Sequence, residues 1–539
     1  MKRAGVLISL WLLAGPALAQ EAPFRLGVQT HFEQGWSPAL IDRAADLGAR
    51  LLRDEIAWAD AETAPGQYDF ARADVYMQAI AARGLQVQIV TLDGHPAHDR
   101  GQTPHTAAGR AAYADFLAAM LARYSGTIHQ LELGNEVNSR EFLHGPFAAD
   151  PARAFARMAG TLAARLGPAA DRPPIVCTGV NTLALGFLRD TFRHGTLDHC
   201  DAISVHPYRE HPETLDLELA RLRALMHEMG GEKPVVVTEF GKWVEDPAQS
   251  PAHMLKMVAI MGAAGVQDAY WYALMDEPWW PNMGLLATDG QEKPAAAAFR
   301  LLQDRLLPLG RPQGRSTTRT ARIYEFGTGG RAFVVWGAGG VLRVGGPAEF
   351  LDATGQPVPR PDRLGDDPVV VLGTGLDLRV DQTPPVADAM YQFGTPPWSY
   401  FARRPGLGLT PLEIIDGQWG SYRGAPDLDP LRITDDWITT ARFTDGPFHA
   451  VERFTATDAG HHRVTAQWQA APGAEPSRIE IRHNGALVAQ GQTGPHPFAV
   501  TALDLTLAAG DRLEFEAAPA GPNGDGALRR RIRIVGPLP

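Results

Sequence analysis

Short apolar runs alternate with alanine- and leucine-rich stretches from Phe24 to about Phe299. The apolar runs predict buried strands over 24–31, 50–53, 85–92, 128–136, 175–179, 202–206, 235–239 and 268–274, and the intervening stretches predict helices over 37–47, 71–83, 106–124, 151–166, 215–229 and 251–264. Eight strands alternating with helices over this length are typical of a (β/α)₈ TIM barrel. The main alternative, a doubly wound open sheet, needs a glycine-rich phosphate turn after its first strand, where this chain has Gln29-Thr30-His31-Phe32.

The helical pattern stops after about Asp304, and glycine and proline then punctuate short strands. We expect a catalytic barrel over 24–304, a small accessory β-sandwich over 305–384 and a jelly-roll-like β-sandwich over 385–539. For the last unit a carbohydrate-binding module and a plain structural module are both open interpretations. Asn523 and Asp525 offer oxygen ligands for calcium in a glycine-rich loop, but so few ligands favour a plain turn.

The first residues predict a secretory signal peptide over 1–19. Lys2 and Arg3 precede an apolar run, and Ala17-Leu18-Ala19 has the small-residue pattern of a cleavage site. We therefore expect a secreted or periplasmic protein with no membrane span after cleavage. The net charge of −11 disfavours nucleic acid and anionic membranes as partners.

The chain has two cysteines, Cys177 and Cys200. An exported protein allows a disulfide between them. However, the first lies in the middle of a predicted strand and the second at the foot of the next one. This stagger favours two buried thiols that are too far apart to be joined.

A TIM barrel carries its function at the carboxyl ends of its strands. Polar groups lie at those ends in this sequence: Arg53-Asp54, Asp93-Gly94-His95, Asn135-Glu136, His206-Pro207-Tyr208, Thr238-Glu239 and Tyr270-Trp271-Tyr272. Each one alone is weak evidence; His206, for example, is also compatible with a structural role. Their recurrence at matching ends predicts one polar site.

Two glutamates define the predicted chemistry. In the fourth strand Leu131 and Leu133 alternate with Glu132 and Glu136 at period two, which directs Glu136 to a polar face. Glu239 is the last inward group of the seventh strand. Two carboxylates across a barrel mouth are what glycoside hydrolysis requires. The plainer alternatives are a solvated carboxylate for the first glutamate and a salt bridge, for example to Arg53, for the second.

Four tryptophans follow strands 1, 2 and 8, where we expect the walls of a sugar-binding groove: Trp36, Trp58, Trp279 and Trp280. Core packing is an equally open interpretation for each of them. Trp279-Trp280 lies between two prolines and is the best candidate for a sugar platform.

Gly134-Asn135-Glu136, Thr238-Glu239-Phe240-Gly241 and Ser204-Val205-His206-Pro207-Tyr208 resemble motifs of the retaining (β/α)₈ glycoside hydrolases of clan A. Within that clan the chain is most similar to glycoside hydrolase family 39, which includes β-xylosidases, α-L-iduronidases and exopolysaccharide hydrolases. The resemblance covers about 24–299.

The resemblance implies a role for each matching residue. Glu136 would be the acid/base and Glu239 the nucleophile, and Asn135 would bind the hydroxyl beside the anomeric carbon. The remaining roles concern support and substrate contact: His206 and Tyr208 would hold Glu239, Arg53 would pair with Glu239 or Glu132, Trp271 would floor the sugar subsite, and His95 would contact the substrate.

These observations favour an exported retaining hydrolase of a polysaccharide, preferably a bacterial exopolysaccharide, with no metal and no cofactor. Two alternatives stay open: an exo-acting β-xylosidase-type enzyme, and a non-catalytic polysaccharide-binding or assembly protein on the same scaffold. A Schiff-base enzyme is disfavoured because none of the five lysines falls within a predicted strand.

Overall fold

A computed structural model describes residues 23–538 apart from 405, 445, 522, 523 and 525. The predicted signal peptide and the possible calcium ligands Asn523 and Asp525 lie outside the described residues. The predicted TIM barrel is confirmed: eight parallel strands close into a barrel, and helices alternate with them along the chain.

The barrel strands are β1 Arg25–Gln29, β2 Leu51–Glu55, β3 Gln86–Thr91, β4 Ile128–Leu133, β5 Ile175–Asn181, β6 Ala202–His206, β7 Val235–Phe240 and β8 Asp268–Trp271. The helices are α1 Leu40–Asp46, α2 Ala71–Ala82, α3 Ala107–Arg123, α4 Pro151–Leu166, α5 Leu185–Arg193, α6 Leu215–Glu228, α7 Ser250–Ala263 and α8 Pro294–Arg300. A short helix, Trp58–Ala61, and a hairpin, Glu62–Ala64 with Gln67–Tyr68, follow β2. The sequence did not predict α5 or α8.

The interior of the barrel changes from apolar to polar along its axis. An apolar layer near the amino ends of the strands consists of Leu51, Val176, Ala202, Val236 and Tyr270. Two residues further along β2, Arg53 is also buried, but it bonds to the polar side chains of Gln29 and Glu132. The alternation of strand residues thus places the charged groups directly beneath the carboxyl-end opening.

Cys177 and Cys200 form a disulfide with Cα atoms 5.9 Å apart, so the expectation of two thiols is wrong. Cys177 points outward to the helix layer, whereas its neighbour Val176 points into the barrel. The backbone nitrogen of Asp201 donates to the carbonyl of Ile175 at 2.9 Å in the regular pairing of the two strands, so β6 starts beside the start of β5. Cys200 precedes that start and is buried in the same hydrophobic core as Cys177. Cys200 therefore reaches Cys177 from the helix side despite the stagger of the two strands.

The C-terminal half forms antiparallel sheets. A five-stranded sheet contains Pro312–Gly314, Ala321–Phe326, Ala332–Gly337, Val369–Gly373 and Ala348–Leu351, and Val341–Gly345 pairs with Asp377–Asp381. One face of the larger sheet, including Tyr324 and Trp336, belongs to the same hydrophobic core as the barrel. The domain limits drawn from composition stay predictions.

The last part of the chain is a sandwich of an eight-stranded and a seven-stranded sheet. Its strands are Val386–Asp388, Trp398–Arg404, Gly408–Pro411, Glu413–Asp416, Ser421–Gly424, Arg432–Ile433, Trp437–Thr439, Ala441–Phe443, Gly446–Thr455, Gly460–Ala470, Ser477–His483, Ala486–Gln492, Phe498–Leu507, Arg512–Pro519 and Ala527–Leu538. Several of these strands lie before Asp436. Within the described part of the chain, no helix is long and apolar enough to cross a bilayer.

Candidate active site

A cavity of about 620 Å³ opens at the carboxyl ends of the barrel strands. Its volume is in the range of small-molecule sites. Both predicted catalytic carboxylates, Glu136 and Glu239, line it together with Arg53, Asn135 and Tyr208. This is the end of the barrel at which the sequence placed the polar residues.

Glu136 does not continue the fourth strand as the period-two pattern predicted. The strand ends at Leu133, and Gly134 follows with φ +89°. A Cβ atom at Gly134 would lie 2.4 Å from the side chain of Val137, so a residue with a side chain does not fit this turn. Glu136 itself has φ +44°, and its backbone nitrogen donates to the carbonyl of Gly179 at 2.6 Å. A tight turn tied to β5 therefore sets the direction of this carboxylate.

Glu239 is turned inward by an irregularity in β7. In the pairing with β8, Val237 lies opposite Ala269 and Phe240 lies opposite Trp271, so β7 has one extra residue over this interval. Val236 and Glu239 both face the barrel interior although they are three positions apart. A bulge of this kind re-aims a side chain at the rim of a barrel.

The two carboxylates meet beside His206. One oxygen of Glu136, one oxygen of Glu239 and a ring nitrogen of His206 all lie within 4.8 Å of one another. The Nδ1 atom of His206 is 3.3 Å from Glu136 and 3.6 Å from Glu239. Burial lowers the pKa of His206, but the charge of Glu239 and the hydrogen bond to Glu136 outweigh it and raise that pKa.

Arg53 is the centre of the polar layer beneath these carboxylates. Its guanidinium donates to Glu239 at 2.6 Å and to Glu132 at 2.7 Å. The resemblance implied these two carboxylates as alternative partners, and Arg53 pairs with both. It also donates to Oδ1 of Asn135 at 3.0 Å, which leaves the amide nitrogen of Asn135 as a donor at the cavity. Arg53 is fully buried, and its planar fork suits several acceptors at once.

Three neighbours keep Glu239 ionised. Tyr208 donates its hydroxyl to the second oxygen of Glu239 at 2.7 Å. Burial acts to raise the pKa of Glu239, but the positive charges of His206 and Arg53 and the hydrogen bonds from Tyr208 and Arg53 hold that pKa below its usual range.

The four tryptophans of the predicted groove lie in different surroundings. Trp280 lines the cavity and is 54% exposed. Trp279 is 81% exposed and does not line it, and Trp36 instead packs edge-on against His31. Trp58 is fully buried and stacks on His98, so it belongs to the core and not to a groove wall.

Trp271 does not floor the sugar subsite, and this corrects the role that the resemblance implied. It is fully buried, donates its indole N–H to the carbonyl of Met283 at 2.8 Å and packs edge-on against Phe240. Since Tyr270 points into the barrel, alternation sends Trp271 outward and returns Tyr272 to the interior. Tyr272 is the β8 aromatic that lines the cavity.

His95 also lies away from the cavity, although the resemblance implied a substrate contact. Its Nε2 atom bonds to the backbone oxygen of Glu62 at 2.8 Å, and its Nδ1 accepts from the backbone of Ala97 at 3.1 Å. Both ring nitrogens are thus used to hold the loop after β3, beside Trp58.

Several lining residues were not predicted. His31 lies just after β1, and burial lowers its pKa to about 4. Among the described residues, neither of its ring nitrogens has a hydrogen-bond partner. Burial and the charge of Asp54 raise the pKa of Glu55, at the end of β2, to about 7 despite the nearby Arg53. Both residues lie at the end of a barrel strand, and this position was the sequence signal that could have identified them as lining residues.

Two exposed aromatic rings of the cavity wall were also missed. Phe142 is 38% exposed and Trp243 is 47% exposed, and both line the cavity. They lie in the loops that follow Glu136 and Glu239 along the chain. With Trp280 they give the opening apolar surface on more than one side, among polar groups such as Arg209 and Lys242.

No family model and no curated protein matches this chain. A family 39 glycoside hydrolase from the gut symbiont Bacteroides cellulosilyticus superposes with a TM-score of 0.55 at 18% identity, over 65% of this chain and 81% of that one. A family 39 β-xylosidase from Caulobacter crescentus gives a TM-score of 0.48 at 16% identity, over 66% and 98% of the two chains. A family 39 enzyme from Xanthomonas axonopodis pv. citri gives 0.46 at 13% identity, over 93% and 95%. The likeness to the Bacteroides structure shows that this chain shares its fold with a glycoside hydrolase of the family that its motifs resemble.

Proposed function

We propose that the protein is a retaining glycoside hydrolase that cleaves O-glycosidic bonds of a polysaccharide by double displacement. The observation that carries the proposal is the approach of Glu136 and Glu239 to within 4.8 Å in one cavity. Retaining enzymes place their carboxyl groups about 5–5.5 Å apart, whereas inverting enzymes separate them by about 6.5–9.5 Å to admit a water molecule.

In the first step an oxygen of Glu239 attacks the anomeric carbon, and the bond between that carbon and the leaving oxygen breaks. Glu136 gives its proton to the leaving oxygen, so the product alcohol departs neutral. In the second step Glu136 takes a proton from water, whose oxygen attacks the same carbon and releases Glu239. The configuration of the anomeric carbon is inverted twice and therefore retained.

The surrounding groups support these roles. Arg53 and Tyr208 each donate to Glu239, which favours the ionised form that a nucleophile requires. The free amide hydrogens of Asn135 suit a sugar hydroxyl beside the reacting carbon. The ring nitrogens of His31, which have no hydrogen-bond partner among the described residues, and the carboxyl of Glu55 provide further partners for sugar hydroxyls in the cavity.

The proposed substrate is a polysaccharide outside the cell, preferably a bacterial exopolysaccharide. Phe142, Trp243 and Trp280 offer faces on which sugar rings pack. The signal-peptide pattern over 1–19 supports export to the periplasm or the medium. The Bacteroides structure is that of a glycoside hydrolase, which agrees with this class of substrate.

The test is turnover by the purified mature chain. We would assay para-nitrophenyl β-glycosides of xylose, glucose, mannose and glucuronic acid, together with xylan, mannan and purified bacterial exopolysaccharides, and identify products by mass. Glu136→Ala and Glu239→Ala should each lower kcat/KM by about three orders of magnitude or more with an unchanged circular dichroism spectrum. Glu349→Gln, an exposed glutamate in the five-stranded sheet, is the matched control.

Azide distinguishes the two roles. With Glu136→Ala, azide should give a glycosyl azide of retained configuration, and with Glu239→Ala one of inverted configuration. Binding of polysaccharide without turnover by the wild-type chain would instead favour the non-catalytic alternative. Normal activity of either alanine variant on the polysaccharide substrate would refute the mechanism.

A further inference from the structure

A hairpin of the C-terminal sandwich reaches the rim of the barrel beside the catalytic cavity. Its strands are Glu413–Asp416 and Ser421–Gly424, and we call residues 417–420 between them the tip loop. The backbone nitrogen of Gly186, in α5, donates to the carbonyl of Gly417 at 3.2 Å. Arg221 of α6 forms an ion pair with Asp416. The hairpin is thus attached to two helices of the barrel.

Asn138 joins the tip loop to the cavity rim. Its side-chain nitrogen donates to the carbonyls of Gln418 at 2.9 Å and Asn181 at 3.2 Å, and its side-chain oxygen accepts from the nitrogen of Asn181 at 2.9 Å. Gln418 in turn donates to the carbonyl of Asn138 at 3.0 Å. Asn138 is only 2% exposed, two residues after Glu136, and Asn181 lines the catalytic cavity. The tip loop is therefore fixed beside Asn181, at the rim of that opening.

Trp419 is the residue that the tip loop presents to solvent. It is 53% exposed, while its backbone carbonyl accepts a hydrogen bond from the hydroxyl of Thr182, the residue after Asn181. The broad face of an exposed indole is a surface on which a sugar ring can pack. An indole ring on a pre-ordered loop also loses little freedom when it binds.

A second groove of about 630 Å³ lies beside the tip loop, with Gln418, the neighbour of Trp419, in its wall. It begins at Val137, immediately after Glu136, and runs between the hairpin and α5. Its walls are polar, although several of the groups already have partners within the protein: Asn138, Arg140, Arg189, Arg193, Asp416 and Gln418. Such walls suit a hydroxyl-rich ligand and not an apolar one.

We propose that Trp419 and this groove form a second sugar-binding site, which holds the polysaccharide several units away from the bond that is cleaved. The inference rests on the proposed hydrolase function and adds that the substrate extends across the tip loop. The C-terminal sandwich is then a fixed part of the substrate cleft and not a separately tethered module.

The test compares long and short substrates of the same enzyme. We would measure kcat/KM on the polysaccharide and on the aryl glycoside that are cleaved fastest in the panel above. Trp419→Ala should lower the ratio of polysaccharide to aryl-glycoside kcat/KM about three- to tenfold, as expected for loss of one aromatic contact. Trp419→Phe should keep most of the ratio. Leu487→Ala, an exposed apolar residue of the same sandwich, is the control and should keep all of it.

A binding assay removes the dependence on turnover. The Glu239→Gln variant should be retarded in native gels that contain the polysaccharides of the panel, and addition of Trp419→Ala should weaken the retardation. An unchanged ratio in Trp419→Ala, or equal retardation with and without this substitution, would overturn the inference. Absence of any turnover by the wild-type chain would instead count against the proposed function itself.

Discussion

At the scale of single residues, Glu239 shows how a buried carboxylate is kept ionised. Burial alone favours its protonated form, yet its pKa is lowered by His206, Arg53 and the hydroxyl of Tyr208. In the proposed mechanism Glu239 reacts as a carboxylate, so its low pKa should extend activity toward acid pH. Loss of one donor should therefore raise the pKa of Glu239 and move the acidic limb of the pH profile upward.

Tyr208→Phe tests the direction of this change in the pKa of Glu239. The substitution removes the 2.7 Å hydrogen bond to Glu239 and keeps the ring. We expect the acidic limb of kcat/KM to move to higher pH, and kcat/KM at its optimum to fall about tenfold, in line with the loss of a hydrogen bond to a charged group. A pH profile of kcat/KM from pH 3 to 9 measures both effects.

Tyr124→Phe is the matched control for this prediction. Tyr124 donates to the carboxylate of Asp74 at 2.9 Å, at the end of α3 opposite the cavity. Its loss should leave the pH profile unchanged. A downward move of the acidic limb in Tyr208→Phe would show that the hydroxyl does not stabilise the carboxylate.

At the scale of elements, β8 shows that alternation along a strand decides which side chains face the cavity. Tyr270 belongs to the inner layer of the barrel, Trp271 packs outward against Phe240, and Tyr272 returns to the cavity. Resemblance to a motif selected the tryptophan, whereas the period of two residues selects the tyrosine beyond it. The local pattern is thus the better guide to which side chain lines the cavity.

Paired substitutions separate the two residues. Trp271→Ala should lower the free energy of unfolding by about 3–5 kcal/mol, because it empties a fully buried site. Tyr272→Ala should leave the free energy of unfolding within about 1 kcal/mol of the wild type and lower kcat/KM by about tenfold or more. Urea denaturation and steady-state kinetics give the two numbers for each variant. A destabilised Tyr272→Ala with normal kinetics would reverse the assignment.

The sequence was informative for the barrel because buried parallel strands are continuous apolar runs. All eight predicted strands are present, with limits that differ by a few residues. The sequence did not predict the places where the chain departs from regular strand geometry. The turn at Gly134 and the extra residue in β7 set the directions of Glu136 and Glu239, and neither leaves a mark in the hydrophobic pattern.

The C-terminal half was harder to predict for a different reason. Strands such as Glu413–Asp416 and Ser421–Gly424 are short and half-exposed, so they lack a clear alternation of apolar and polar residues. Their contacts with the barrel are distant in sequence, as in the pair Asn138 and Gln418. Only the folded chain brings this hairpin to the rim of the cavity. The disulfide of Cys177 and Cys200 likewise depends on the path of the chain just before β6, which the predicted strand limits do not show.

At the scale of the whole molecule, Glu213 lies where three parts of the chain meet. It follows β6 and is fully buried. Its carboxylate accepts from Lys256 of α7 at 3.0 Å and from the indole of Trp336, in the five-stranded sheet, at 3.1 Å. Burial raises its pKa, but the charges of Lys256, His211 and Arg531, the last from the C-terminal sandwich, bring that pKa down to about 2. The barrel and both β-regions are therefore coupled through one carboxylate.

The direction of this pKa shift determines how the free energy of unfolding depends on pH. A carboxylate with a depressed pKa stabilises the folded chain above its unfolded pKa of 4.5, and this stabilisation disappears as the pH falls toward about 2. Glu213→Gln should lower the free energy of unfolding at pH 7 by about 3 kcal/mol, since it leaves Lys256 buried without its counter-charge. The difference from the wild type should shrink between pH 4.5 and 2. Urea titrations across that interval measure the difference. The control is Glu349→Gln, which removes an exposed ion pair with Arg305. It should change the free energy of unfolding by less than about 1 kcal/mol. A difference that stays constant with pH would show that Glu213 contributes only packing to the junction.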